Sequence, residues 1–131
     1  MRAGNRGFTL VELLIVVVII GILATIAIPK FVNTKEKAVV TAMRSDLRNL
    51  ASVQETFWVQ NASYYGGVIP DLVTFAYQPS QGVTVTVVSA TSAGWSAQAS
   101  APGRTAQTCV IYYGNAPPIP PAVVDGAVAC T

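Results

Sequence analysis

The 131-residue chain has no histidine, only two cysteines, and charged side chains at just 11% of positions. Ordinary soluble domains carry about a quarter. Each shortage excludes something. Without histidine the chain lacks the commonest general base and the commonest transition-metal ligand. Two cysteines cannot complete a structural zinc site unaided. Eight basic against six acidic side chains leave +2, too little for nucleic-acid binding over an extended basic surface. Serine, threonine and tyrosine are plentiful, yet no nucleophile has a recognisable activator, so neither an enzyme nor a cofactor or metal is expected. Aromatics make up 8%. Trp58, Tyr64, Tyr65, Trp95, Tyr112 and Tyr113 are expected in core and interface rather than in a ligand cage. What the chain has in excess is apolar character, 52% of its residues, which argues against disorder.

Much of that character sits at the front. From Phe8 to Ile28, 17 of 21 positions are apolar, with only Thr9, Glu12, Gly21 and Thr25 intervening. A helix of that length measures about 31 Å, close to the hydrocarbon thickness of a bilayer. Because it is apolar all round, it must be covered on every side by lipid or by other helices. The run is too long for the core of a secretory signal, and no small-x-small cleavage site follows, so it is expected to remain in the mature protein.

From Lys30 to Asn61 the pattern becomes amphipathic. Val32, Val39, Met43, Leu47, Leu50 and Phe57 recur at helical spacing, with Lys35, Glu36, Lys37, Arg44, Asp46, Arg48 and Glu55 on other faces. Gly21 and Pro29 are the only breakers. Pro29 deletes its own amide donor and crowds the Thr25 carbonyl, so a kink is expected there. Asn61, Ala62, Ser63 and Gly66-Gly67 end the helix. Running from Phe8 to Asn61 it would extend about 80 Å, more than a small domain covers, so its front half is expected to project.

Beyond Ser63 the sequence reads as a small β region. Gly82–Ser89 alternates valine and threonine, Ala90–Gly94 supplies a turn, Trp95–Ser100 alternates again, and Thr108–Tyr113 follows, an antiparallel meander of three strands. Tyr64–Tyr77 connects helix to sheet. Asn115–Thr131 holds four prolines and is expected as an irregular tail. Cys109 and Cys130 bracket that tail. Two buried free thiols would suit a cytosolic domain; behind a membrane segment an oxidising compartment makes a disulfide the better expectation.

The first residues are the most specific. A short basic leader, MRAGNRG, precedes Phe8-Thr9-Leu10-Val11-Glu12-Leu13-Leu14. Thr9 and Glu12 fit a capping box, with Phe8 and Leu13 as a hydrophobic staple. The box explains a carboxylate near a helix start, but not one inside a membrane-length apolar run, where a charge is costly and has a partner. The string Gly7–Leu14, followed by an apolar run with Gly21 and Pro29, resembles the signature shared by type IV prepilins and type II secretion pseudopilins. The resemblance implies a pilin-like α+β fold, a long N-terminal helix on a small antiparallel sheet with a disulfide-pinned tail. It also implies that prepilin peptidase cuts after Gly7 and N-methylates Phe8. Glu12 would neutralise the terminal amine of a neighbouring subunit in a helical homopolymer. A cytoplasmic ATPase motor and the rest of the pilus assembly machinery would supply the work. On that reading the chain divides into a leader (1–7), a transmembrane and filament-core half-helix (8–29), an amphipathic half-helix (30–61) and a C-terminal β region (62–131). It would lie in the inner membrane as precursor and then in a surface pilus, in adhesion or motility roles.

The stretch between Gly21 and Pro29 is weak and a candidate for unwinding in the fibre. Arg2 and Arg6 before the span face Lys30, Lys35 and Lys37 after it, so charge counting does not favour a cytoplasmic leader; the resemblance does. A pseudopilin or minor pilin of a secretion system is the nearest rival. Major pseudopilins bind calcium through clustered acidic residues, whereas past residue 61 only Asp71 and Asp125 are acidic. A single-pass membrane-anchored binding module is the rival of another class. Removing residues 1–7 takes away Arg2 and Arg6, leaving six basic and six acidic side chains. The added cation of the mature chain would be the new amine at Phe8.

Overall fold

The structure, a computed structural model, describes residues 7–67, 69 and 77–131. The leader and the connecting loop, including Arg2, Arg6, Pro70 and Asp71, fall mostly outside the described residues. Helix α1 spans Leu10–Asn61, followed by strands β1 (Thr84–Ala90), β2 (Gly94–Ser100), β3 (Thr108–Gly114) and β4 (Ala129–Cys130). The architecture is α+β and pilin-like. Two compact units divide the chain, Met1–Lys35 and Glu36–Thr131.

In the first unit α1 starts at Leu10, two residues later than the apolar pattern suggests, because Thr9 takes the capping position. Helix continues without interruption through Gly21 and Pro29. The Thr25 hydroxyl donates to the Ile22 carbonyl at 2.7 Å, so a side chain occupies backbone hydrogen-bonding capacity in that turn. Leu10, Val11, Leu13 to Ile20, Ile22, Leu23, Ile26 and Ile28 are all exposed. Val32, read above as the first residue of the amphipathic stripe, is also exposed at 58%; the buried stripe starts further on.

In the second unit the helix presents Met43, Leu47 and Leu50, each fully buried, to one face of the sheet. The sheet order is β1-β2-β3-β4, all antiparallel. Its registers set Val85 opposite Ala99, Val87 opposite Ala97, Ala97 opposite Ile111 and Trp95 opposite Tyr113. Alternation therefore puts these residues on one face, the face that meets the helix. The small residues Ala97 and Ala99 at the centre leave room for the large helix side chains. Strand β2 is buried along nearly its whole length, Ser96 included. That differs from the half-polar strand its alternation suggests: between β1 and β3 its other face is covered too, and Val110, Ala116 and Ala122 are buried outside the main cluster.

Gly94 opens β2 where a side chain cannot fit. A Cβ there would lie 2.6 Å from the Asn115 nitrogen and 2.7 Å from that of Ala116. At the end of α1, Ala62 adopts φ +53° and its N–H donates to the Trp58 carbonyl at 2.7 Å, a left-handed cap usually left to glycine. One strand exceeds expectation. Ala129 and Cys130 pair with Val110 and Cys109 as β4, so the tail ends inside the sheet. Its prolines lie earlier, at 117, 118, 120 and 121, and leave the last residues free to pair.

Candidate functional site: the head of the apolar helix

Gly7, Phe8 and Thr9 precede the helix without regular structure, and all three are exposed. Nothing would meet a Cβ at Gly7 within 4 Å. The Gly7–Phe8 peptide bond thus lies in open, non-helical backbone. One residue further on, Thr9 and Glu12 form the expected capping box. The Glu12 N–H donates to Thr9 Oγ1 at 3.3 Å, while Glu12 Oε2 accepts from the Thr9 N–H at 2.8 Å and from its hydroxyl at 2.6 Å. Two otherwise unpaired backbone donors of the first turn are satisfied this way. The carboxylate is folded back over the helix start, within a residue of Phe8. Both donors it receives are neutral. It is also the only acidic residue before Glu36.

The second unit holds polar features that the sequence reading missed. Asp46, placed above on a polar face, is 3% exposed. It accepts from the Ser80 N–H at 3.0 Å and from the Ser80 hydroxyl at 2.9 Å, and its own carbonyl accepts from the Tyr77 hydroxyl at 3.1 Å. Gln54 is fully buried. It donates to the Tyr65 carbonyl and accepts from the Tyr65 N–H, both at 2.8 Å. These side chains fasten the segments after the helix to the helix itself. A polar letter at stripe spacing, Gln54 seven residues after Leu47, was the available signal. Burial raises the Tyr77 phenol well above its ordinary range, with Asp46 adding to it. Tyr64 is raised chiefly by burial and next by its hydrogen bond to Glu55 at 3.0 Å.

Cys109 and Cys130 are joined. The bond ties β3 to β4, and the Thr131 N–H donates to the Thr108 carbonyl at 3.0 Å beside it. Arg44 Nε lies 3.2 Å from the Cys130 sulfur. Several aromatic residues pack on one another: Trp95 stacks on Tyr113 with centroids 5.3 Å apart, and Tyr64 lies between Trp58 and Trp95. Among the described residues no three histidine, cysteine, aspartate or glutamate side chains gather as a metal site would require.

A helix long and apolar enough to cross a bilayer, headed by a capping box whose carboxylate is the one acidic group before Glu36, has the form of a helix-anchored protein. A family model described as the prokaryotic N-terminal methylation motif matches residues 2–28. Type IV major pilin protein PilA of Myxococcus xanthus is 45% identical over 60 residues, 46% of this chain and 27% of its own. Type II secretion system core protein G of Pseudomonas aeruginosa is 35% identical over 63 residues, 48% of this chain and 44% of its own. Type IV wide pilus major component PilA4 of Thermus thermophilus is 33% identical over 87 residues, 66% of each chain. Motif, relatives and fold agree: the chain belongs to the type IV pilin and type II secretion pseudopilin family. It spans about a quarter to two thirds of the length of these relatives, which are structural proteins.

Proposed function

We propose that the chain is the precursor of a type IV pilus subunit that polymerises through its apolar helix. The observation that carries this reading is the head of α1, an exposed Gly7–Phe8 bond followed at once by a capped helix whose apolar stretch to Ile28 holds one carboxylate, Glu12. Prepilin peptidase would cut after Gly7 and methylate the new amine of Phe8. A backbone segment that is exposed and without regular structure can enter a protease without unfolding a helix. The product then carries a cation at Phe8, just ahead of the helix, and an anion at Glu12 in its first turn. In a bundle of such helices, Glu12 of one subunit pairs with the amine of a neighbour and sets axial register. An unpaired carboxylate would resist burial in an apolar bundle.

Lipid and neighbouring helices are alike apolar, so moving the helix from membrane to filament yields little hydrophobic gain. Assembly then rests on packing, on the Glu12 pair and on external work by the assembly machinery. Gly21 and Pro29 mark where the helix can extend under that work, with the Thr25 hydroxyl ready to hold a freed carbonyl. On this account the precursor lies in the inner membrane and the product in an extracellular homopolymer, without catalytic activity, cofactor or nucleic-acid partner.

The secretion pseudopilus is the second reading, supported by identities of 35–39% to core protein G of several bacteria. The 87-residue match to a pilus component reaches past Asn61 into the sheet-forming region, and that extent favours the pilus. Glu12→Gln and Glu12→Ala are expected to abolish or sharply reduce surface filaments while Cys109–Cys130 still forms and Trp95 stays buried. Wild-type filament yield in both variants would remove the role assigned to Glu12.

A further inference from the structure

Assembly leaves one feature of the helix without a task, the lysines just beyond the apolar run. Lys30, Lys35 and Lys37 follow Ile28 within nine residues. With the leader on the cytoplasmic side these cations lie on the opposite one, against the usual bias of basic residues. All three are exposed. No carboxylate lies within 4.0 Å of their ammonium groups among the described residues. The nearby carboxylate, Glu36, is engaged elsewhere, accepting the Thr105 hydroxyl at 2.8 Å.

Their placement matches a bilayer surface. Lys30 and Lys35 are about 8 Å apart along the helix axis, comparable to the polar layer of about 5–8 Å outside the hydrocarbon core. Helix side chains lean toward the N-terminus, so both lysines lean back toward the apolar run. Lys35 does so visibly: its Nζ stands 4.6 Å above the Phe31 ring, and that ring is itself 61% exposed. An exposed ring at the end of a bilayer-length run, topped by an ammonium, suits a group whose lower side is acyl chain and whose upper side is anionic.

We propose that Lys30 and Lys35, with Phe31, form a collar that binds the phosphates of anionic phospholipids in the leaflet where the apolar run ends. The collar holds the unassembled chain at fixed depth, and its contacts are given up when the subunit leaves for the filament. The proposal rests on the membrane-inserted precursor described above.

The test uses the full chain in vesicles of equal phosphatidylcholine and phosphatidylglycerol, with co-purifying lipids counted by native mass spectrometry. Phosphatidylglycerol is expected to be enriched by up to about fivefold per lysine. The enrichment should fall in Lys30→Gln and in Lys35→Gln, further when the two are combined, and persist in the matching arginine variants. Retention of both lipids in their bilayer ratio, or unchanged enrichment in the double glutamine variant, would overturn the collar. Displacement of the lipid by millimolar inorganic phosphate would instead assign the lysines to a free anion and would also overturn it. Resistance to alkaline carbonate extraction from the same vesicles reads insertion separately. An extracted chain would refute the membrane reading and the collar with it, whereas an inserted chain without lipid preference refutes the collar alone.

Discussion

Consider breaking the Cys109–Cys130 bond. The two cysteines are 21 positions apart, and the loop between them carries the four prolines and the whole tail. Apart from the disulfide, that tail is held by β4, only two residues long, and by scattered hydrogen bonds. The Gly126 N–H donates to the Tyr112 carbonyl at 2.9 Å, and the Gly114 N–H to Asp125 Oδ1 at 3.1 Å. Closing a loop of this size removes unfolded-state entropy worth about 3 kcal/mol. A domain of about 100 residues has roughly 5–15 kcal/mol in total, so the reduced protein should remain folded but lose a large fraction of its stability. At about 4–8 °C per kcal/mol, Cys109→Ala/Cys130→Ala should melt roughly 12–24 °C below the parent. The readout is fluorescence of the full chain in detergent, since Trp95 is fully buried and reports on the domain. Reductant should bring the parent close to the variant's melting temperature and leave the variant unmoved. Melting within two or three degrees of the parent would refute the reasoning, because the tail would then be held by its other contacts.

Three further outcomes follow from the same structure. Asp46→Ala should destabilise the domain by about 1–3 kcal/mol, since it removes charge-assisted acceptors from Ser80; a double-mutant cycle with Ser80→Ala in urea should show coupling, and additivity would contradict the contact. Trp95→Ala should cost about 3–5 kcal/mol through the cavity it leaves, measured by the same denaturation, and a loss below 1 kcal/mol would mean the core had been misplaced. Alkali should unfold the domain: Tyr64 and Tyr77 are raised above the ordinary 10.0, so the unfolded chain releases those protons first. Their contribution is complete below about pH 10 and is lost as pH rises toward the folded values; Tyr77→Phe should flatten that decline, and a melting temperature constant from pH 9 to 11.5 in the parent would contradict it.

Legibility varied along the chain for physical reasons. The helix was plain because a long apolar run, broken only by Gly21 and Pro29 and followed by a stripe at helical spacing, admits few other structures, and two of the strands announced themselves by alternation. Strand β4 was not legible: two residues after a proline-rich stretch carry no periodicity, and it is ladder pairing with Val110 and Cys109, together with the disulfide, that sets them against β3. Asp46 and Gln54 were misjudged because polar side chains are expected on the outer face, whereas here each is buried by bonding to the chain that packs over it. The capping box at Thr9 and Glu12 was readable since it is local, needing only two residues three apart. Which subunit Glu12 meets after processing is not a local matter and rests on assembly.

Assembly through a processed N-terminus is the central claim, and intact and fragment mass spectrometry of sheared surface filaments tests it most directly. The account predicts filaments built of this chain, starting at Phe8 with an N-methyl group and carrying the Cys109–Cys130 bond. Filaments in which the chain retains residues before Phe8, or a chain found only as unprocessed monomer in the membrane, would contradict it.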